Sequence, residues 1–135
     1  MKKILFIALF IGQLFAYTNI EATNQNIKNL QNQNIPIIDI RLPNEWKSTG
    51  TIPNSIQDTF FTINGSINPN FYKILKKHHI NKNSKFAVIC RTGHRTKMAI
   101  ELIYKNGYKN VINLDGGMYK LFNTMLKECF NGRKK

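Results

Sequence analysis

One short segment of the sequence concentrates groups that could do covalent chemistry. Residues 90–95 read Cys-Arg-Thr-Gly-His-Arg, and Cys90 brings a potential nucleophile. This thiol stands between an apolar run at 86–89 and a stretch with helical periodicity. It therefore faces the N–H groups of a connecting loop and the positive end of a helix, and both favour the thiolate form. We predict a reactive cysteine whose loop can also hold an anion beside the sulfur.

The neighbours of Cys90 favour a reactive thiol over a buried, unreactive one. Most unpaired cysteines behave as small buried hydrophobes. Arg95 and a second arginine add positive charge here, and a glycine lets the loop curl tightly, so the segment makes a poor core and a good anion cradle. We therefore predict Cys90 and Arg95 as catalytic residues. The predicted substrate-binding residues are Arg91, Thr92, Gly93, His94 and Thr96.

The elements that would position this loop alternate along the chain. Apolar runs at 35–40, 86–89 and 111–114 predict strands covered on both faces, as in a parallel sheet. Helical patterns start at Pro43, after Cys90 and after Gly117, and a further one covers about 70–79. Residues 54–70 are predicted to form a loop with a short strand near Ile56. This alternation predicts a single three-layer α/β domain with a mostly parallel sheet flanked by helices. Ligands bind beyond the carboxyl ends of such strands, where Cys90 stands.

Four segments, in order along the chain, together resemble the single-domain rhodanese-like sulfurtransferase family. The loop after Cys90 looks like the active-site loop of that family, and residues 38–46 resemble its Asp-Val-Arg-x-x-x-Glu-Tyr signature. Residues 50–56 resemble its Gly-His-Ile-Pro-Gly-Ala-Ile segment, with Thr51 where the family commonly has His. Residues 107–117 match its closing stretch. Each motif alone is weak, but their common order makes the resemblance specific.

The resemblance implies a sulfur carrier. The Cys90 thiolate would take sulfur from a small anionic donor such as thiosulfate or a polysulfide, and would hold it as a persulfide. A thiol or cyanide-like acceptor, which can be a partner protein, would then remove it. The loop amides and Arg95 would stabilise both sulfur anions, and Arg91 would bind the donor. Asp39 and Arg41 would support the loop through an ion pair.

No cofactor or metal is expected. His78 and His79 are adjacent and cannot share a helical face, and no other Cys/His cluster has ligand spacing. Two other classes remain open: a redox or anion-binding module in which Cys90 is unreactive or pairs with Cys129, and a distant phosphatase. Cys129 follows apolar residues of the last helix, which favours an inert buried thiol. The four residues between Cys90 and Arg95 resemble the sulfurtransferase loop, which is tighter than that of the phosphatases.

The start of the chain is predicted to be a targeting segment. Lys2 and Lys3 precede an apolar run from Ile4 to Phe15, and Ala16 offers a cleavage position. The run is shorter than the roughly 20 apolar residues of a membrane span, so an uncleaved anchor is the weaker alternative. We expect a signal peptide at 1–16, a lead-in segment at 17–34, a rhodanese-like domain at 35–128 and a basic tail at 129–135. The expected location is outside the cytoplasm, in the periplasm, without stable membrane insertion.

The net charge of +13 favours anionic partners. Removing residues 1–16 takes away two lysines, so most of the surplus survives. Lys76, Lys77, Lys82 and Lys85 are interpreted as a solvated face, and no nucleic-acid partner is expected.

Overall fold

The computed structural model describes residues 17–133, in which strands and helices alternate. The strands are β1 (Thr18–Glu21), β2 (Ile37–Asp39), β3 (Ile56–Gln57), β4 (Phe86–Ile89) and β5 (Val111–Asp115). The helices are α1 (Asn24–Asn32), α2 (Pro43–Thr49), α3 (Phe71–Lys77), α4 (His94–Lys105) and α5 (Gly117–Gly132).

The strands form one sheet in the order β1-β5-β4-β2-β3, and every pairing in it is parallel. The carboxyl ends of the strands therefore lie together along one edge of the sheet. Asp39 of β2 is opposite Gln57 of β3 on one side and Ile89 of β4 on the other. The residues that follow these three strands consequently share that edge, and Cys90 is one of them.

Both faces of the sheet are buried, which confirms the predicted three-layer α/β class. On one face, α3 and α4 pack against Ile38 and Val88. On the other, α1 and α5 pack against Ala87 and Ile89. Successive residues of β4 thus enter different cores, because side chains alternate across a strand. This is why the central strands are continuous apolar runs.

Residues 17–34 are part of the fold, whereas the sequence predicts a lead-in segment there before a domain that begins at residue 35. The expected short helix is present as α1, and β1 is an additional strand that pairs with β5 from Thr18↔Ile112 to Glu21↔Asp115. Ala22, Ile27 and Leu30 are buried in the α1/α5 core. The segment therefore supplies an edge strand and a covering helix.

The other end of the chain also differs from expectation. Helix α5 runs to Gly132, so most of the expected basic tail is helical. Cys129 is exposed, and its prediction as a buried thiol is wrong. The expected signal peptide at 1–16 and residues 134–135 lie outside the described residues. Within residues 17–133, no helix has the length and apolar character needed to cross a membrane.

Candidate active site

Cys90 occupies the junction between β4 and α4, at the carboxyl edge of the sheet. Its side chain is only 1% exposed and belongs to the core between the sheet and α3/α4. The connecting loop is short, because α4 already begins at His94. The sulfur is therefore held where a buried strand ends and the N-terminal turn of a twelve-residue helix starts.

The loop aims a backbone donor at this sulfur. The N–H of Gly93 donates to Cys90 Sγ at 3.1 Å, and Thr96 Oγ1 lies 3.7 Å from the same atom. Thr96 in turn donates to the Gly93 carbonyl at 2.9 Å. Gly93 has a φ of 101°, and a Cβ at this position would approach Gly116 N to 3.3 Å. A glycine is therefore needed both for the backbone turn and for the close packing of this loop.

The start of α5 fixes the outer side of the loop. The N–H groups of Met118 and Tyr119 donate to the carbonyls of Cys90 (2.9 Å) and Arg91 (3.0 Å). A Cβ on Gly117 would lie 2.5 Å from the Cys90 carbonyl oxygen, so α5 approaches the loop at backbone contact distance. Two peptide carbonyls of the loop are thereby hydrogen-bonded to the start of α5.

Arg95 is bound to a carboxylate of another element. Its two terminal nitrogens each donate to an oxygen of Glu45 in α2 at 2.6 Å. The hydrogen bond from Arg95 holds the pKa of Glu45 below its usual value, against the opposing effect of partial burial. Glu45 raises the pKa of Arg95 in return. The guanidinium is thus a fixed positive charge that ties α4 to α2, and its predicted action on the sulfur stays a prediction.

Glu45 was not among the predicted site residues. Its Oε2 also accepts the N–H of Leu42 at 2.9 Å, so it caps the start of α2 while it holds Arg95. The signal that could have identified it was its place in the 38–46 motif. A carboxylate in that motif and an arginine in the loop after Cys90 are natural ion-pair partners.

Asp39 and Arg41 form a buried ion pair at the same edge. Arg41 Nη2 lies 2.7 Å from Asp39 Oδ2, and its Nε also donates to the carboxylate. The remaining donors of the guanidinium reach Thr49 Oγ1 (2.7 Å) and the Gly50 carbonyl (2.8 Å). With exposures of 1% and 0%, the pair fastens the C-terminal end of α2 to β2. It does not contact Cys90.

A groove of about 370 Å³ runs beside the loop. Helices α2 and α5 form its walls, and Arg91 is the residue it shares with the loop. The other lining residues are Arg41, Asn44, Glu45, Ser48, Thr49, Met118, Tyr119 and Phe122. The exposed side chain of Arg91 and the 65% exposed ring of Tyr119 place a cation and an aromatic surface at this groove.

The remaining predicted site residues occupy different environments. Thr92 and His94 are exposed, whereas Thr96 is fully buried behind the sulfur. Within residues 17–133, no three His, Cys, Asp or Glu side chains converge as a metal site would require.

The two cysteines stand far apart. Both are free thiols. Gly117 touches the Cys90 carbonyl, and Cys129 is twelve residues further along the same helix. At about 1.5 Å per residue that separation is about 18 Å, well beyond the roughly 7 Å that a disulfide can bridge between Cα atoms. An intramolecular disulfide would require α5 to unwind.

A family model described as the rhodanese-like domain matches residues 22–124, which include all of these site residues. The chain belongs to the rhodanese-like domain family. The match begins at Ala22, inside the segment that the sequence analysis placed before the domain.

Several rhodanese-like relatives carry names. Two tRNA uridine(34) hydroxylases of Prochlorococcus marinus are 34% and 38% identical over 114 residues, which are 82% of this chain but only 35% of those proteins. The chain thus spans about a third of their length. The rhodanese domain-containing protein CG4456 of Drosophila melanogaster is 31% identical over 70% of this chain and 89% of that protein. The rhodanese-like domain protein of Staphylococcus aureus shares the fold, with a TM-score of 0.58 and 24% identity over 76% of this chain and 89% of that one.

Proposed function

We propose that this rhodanese-like protein is a sulfurtransferase that carries sulfur as a persulfide on Cys90. The observation that carries the proposal is the N–H of Gly93 donating to Cys90 Sγ at 3.1 Å, at the start of α4. A backbone donor and a helix N-terminus both stabilise negative charge on sulfur, which a thiolate and a persulfide share. The loop is therefore suited to both states of a carrier.

The proposed reaction has two displacements. In the first, the Cys90 thiolate attacks the outer sulfur of a donor such as thiosulfate; a new S–S bond forms on Cys90, and the electron pair of the broken S–S bond leaves with sulfite. In the second, an acceptor thiolate or cyanide attacks the outer sulfur of the persulfide. The bond to Cys90 breaks, and its electron pair restores the thiolate. No net oxidant is consumed.

The groove between α2 and α5 supports a small anionic donor. Arg91 is exposed beside Cys90, and no side-chain partner is assigned to it within residues 17–133. Arg95 is nearby but neutralised by Glu45. Arg91 is accordingly the cation proposed to attract the donor, while Arg95 fixes the loop against α2.

The location in the periplasm, predicted from the first residues of the sequence, is likewise a proposal.

Mass spectrometry of the protein after incubation with thiosulfate or polysulfide tests this function. The wild-type chain should gain one sulfur atom, and Cys90→Ser should gain none. Cys129→Ser is the matched control, because it removes an exposed thiol outside the site and should load like the wild type. Loading on Cys129 alone, or no loading from either donor, would contradict the proposal.

A second candidate follows from the relatives named tRNA uridine(34) hydroxylase. Since the chain covers about a third of those proteins, the shared segment is proposed at most to take part in such a reaction. Incubation with unmodified tRNA, dioxygen as the source of the oxygen atom and a two-electron reductant, followed by nucleoside mass spectrometry, would show a hydroxylated uridine if this candidate holds. Wild-type loading with sulfur and no change in the tRNA would favour the sulfurtransferase.

A further inference from the structure

Charge is distributed unevenly between the two edges of the sheet. Three ion pairs within residues 17–133 join Asp39 to Arg41, Glu45 to Arg95 and Glu21 to Lys120. All three lie at the carboxyl edge, where Cys90 is, because they involve residues at the ends of strands or the starts of the following helices. Three of the basic side chains at that edge, Arg41, Arg95 and Lys120, are therefore paired with a carboxylate.

The opposite, amino edge of the sheet carries lysines instead. Lys76 and Lys77 end α3, and Lys82 and Lys85 lie in the connection that leads into β4. Lys105 ends α4, and Lys109 precedes β5. Between Asp58 and Asp115 the sequence contains a single acidic residue, Glu101, which lies within α4. We name these six lysines the lysine edge.

Contacts join the segments that carry the lysine edge into one surface. The side chain of Asn110 donates to the Asn83 carbonyl at 2.9 Å, which connects the turn before β5 to the turn before β4. The side chain of Lys82 packs against Gly107, at the end of α4. Asn106 donates to the Tyr72 hydroxyl at 3.0 Å, which ties the end of α4 to α3. The helix ends and connections that carry the lysines are therefore neighbours at this edge.

Several of these lysines face solvent without a carboxylate. Lys76, Lys77 and Lys85 are exposed, and within residues 17–133 none of them takes part in an ion pair. Lys109 is different, since its Nζ lies 3.7 Å from the centre of the Tyr104 ring and donates to the Tyr104 carbonyl. The exposed ammonium groups repel each other and gain from any surface of opposite charge.

We propose that the lysine edge is a docking surface for an anionic lipid bilayer. Basic side chains next to one another bind a negatively charged membrane surface through long-range attraction, without needing an apolar anchor. The composition favours this partner over RNA. No arginine is among the residues of the lysine edge, so it has no guanidinium fork to hold a phosphate. Its tyrosine rings are engaged, since Tyr72 stacks on Tyr108 at 5.5 Å and Tyr104 lies under Lys109, and they are not presented to bases.

Docking in this way would orient the catalytic edge. The lysine edge and Cys90 lie at opposite ends of β4, since Lys85 directly precedes the strand and Cys90 directly follows it. With the lysines on the membrane, the loop and its groove would face the aqueous side. The protein would thus be held at a lipid surface as a peripheral protein, with the Cys90 loop and its groove on the side from which soluble donors and acceptors arrive.

Vesicle co-sedimentation of the full chain tests the proposal. We expect binding to vesicles of phosphatidylcholine with phosphatidylglycerol, little binding to phosphatidylcholine alone, and a steep loss as salt is added. The triple variant Lys76→Gln, Lys77→Gln, Lys85→Gln should weaken binding to the anionic vesicles by about 100-fold. Its circular dichroism and its sulfur loading should stay at the wild-type level, because none of the three residues is near Cys90.

A matched variant separates the surface from total charge. Lys28→Gln, Lys47→Gln, Lys127→Gln removes the same charge from exposed positions on α1, α2 and α5 and should bind vesicles nearly as well as the wild type. Equal loss in both triple variants would reduce the effect to net charge and overturn the proposal. If the wild type and both triple variants bound vesicles equally well at low and high salt, the binding would be attributed to the apolar residues 4–15 and the proposal would be overturned. Binding to single-stranded RNA but not to anionic vesicles would also overturn it.

Discussion

The geometry around Cys90 depends on residues that have no reactive group of their own. Gly117 has a φ of 61° and lets the start of α5 approach the loop so closely that its N–H groups reach the carbonyls of Cys90 and Arg91. Only a glycine meets both conditions, because a Cβ would enter the Cys90 peptide and the backbone conformation disfavours other side chains.

Gly117→Ala should therefore displace the loop. A Cβ 2.5 Å from the Cys90 carbonyl oxygen and 2.6 Å from Arg91 carbonyl atoms cannot be accommodated without backbone movement. We expect the free energy of unfolding to fall by at least about 2 kcal/mol and sulfur loading to slow. Gly132→Ala, where a Cβ meets nothing within 4 Å, is the control and should leave both unchanged. Chemical denaturation and loading kinetics measure the two effects, and equal behaviour of the variants would refute the close approach.

A second test at single residues concerns Glu45. Glu45→Gln keeps the shape of the side chain but removes the charge that pairs with Arg95. Since the two side chains are 19% and 25% exposed, the free energy of unfolding should fall by only about 1 kcal/mol. Sulfur loading should slow by about tenfold, because Arg95 and the first turn of α4 lose their tether to α2. Glu101→Gln, an exposed carboxylate of α4, should change neither quantity; a loading rate of Glu45→Gln equal to wild type would show that the tether is dispensable.

Sequence reasoning placed Cys90 correctly between a buried strand and a helix, because that setting is local and visible in the chain order. It placed Asp39 and Arg41 together for the same reason, since they are two residues apart. Glu45 and Arg95 are fifty residues apart, so their pairing depends on where the sheet order brings α2 and α4. The contact of Gly117 with the loop is equally non-local.

At the scale of elements, the connection after β3 contains an unusual group. Asp58 follows β3 directly, and its N–H donates to the Asp39 carbonyl at 3.1 Å. Its side chain is 1% exposed, and neither carboxylate oxygen has a hydrogen-bond partner within the described residues. Burial raises the pKa of Asp58 to about 7. The folded protein therefore retains a proton that an unfolded chain would release above its ordinary pKa of 3.8.

The stability of the domain should consequently decline as pH rises. The raised pKa of Asp58 favours the protonated acid in the folded state. Below about pH 4 the side chain is protonated in both the folded and the unfolded chain, so it does not change the free energy of unfolding with pH. Between about pH 4 and about pH 7 only the unfolded chain loses this proton, so the free energy of unfolding falls as pH rises. Between pH 5 and pH 8 its contribution should lower the free energy of unfolding by about 3 kcal/mol. Asp58→Asn should remove that slope from urea titrations at different pH values, while Asp115→Asn, an exposed carboxyl on the same edge, should retain it. A slope unchanged by Asp58→Asn would contradict a buried neutral acid.

The buried strands were easier to predict from the sequence than the exposed edge strand. Strands β2, β4 and β5 are buried along most of their length and consist mainly of apolar residues, so a strand is predicted at each from the sequence. Strand β1 reads Thr-Asn-Ile-Glu, and only Ile20 is partly covered. Such an edge strand has no strong local pattern, because pairing with β5 rather than burial makes it a strand.

At the scale of the whole molecule, the two cores differ in how much they depend on residues 17–34. The buried residues of the core between the sheet and α3/α4 lie within 38–111, with partly buried Tyr17 packed against it, whereas the other core needs buried Ala22, Ile27 and Leu30 from the first described elements. The domain can therefore be complete only when residues 17–34 are present, although their polar composition resembles a connecting segment.

A chain that begins at residue 35 should fail to fold. Removing β1 leaves β5 unpaired on one side, and removing α1 exposes one face of the sheet, including Ile37 and Leu114. A milder change tests the same packing: Ile27→Ala should cost about 2–4 kcal/mol because Ile27 is 5% exposed. Lys28→Ala, its exposed neighbour, should cost almost nothing. Circular dichroism melting of the three chains measures these effects. If the shortened chain instead melted cooperatively at the wild-type temperature, residues 17–34 would not be needed for folding. The stability of the sheet would then not depend on its edge strand β1 and the covering helix α1.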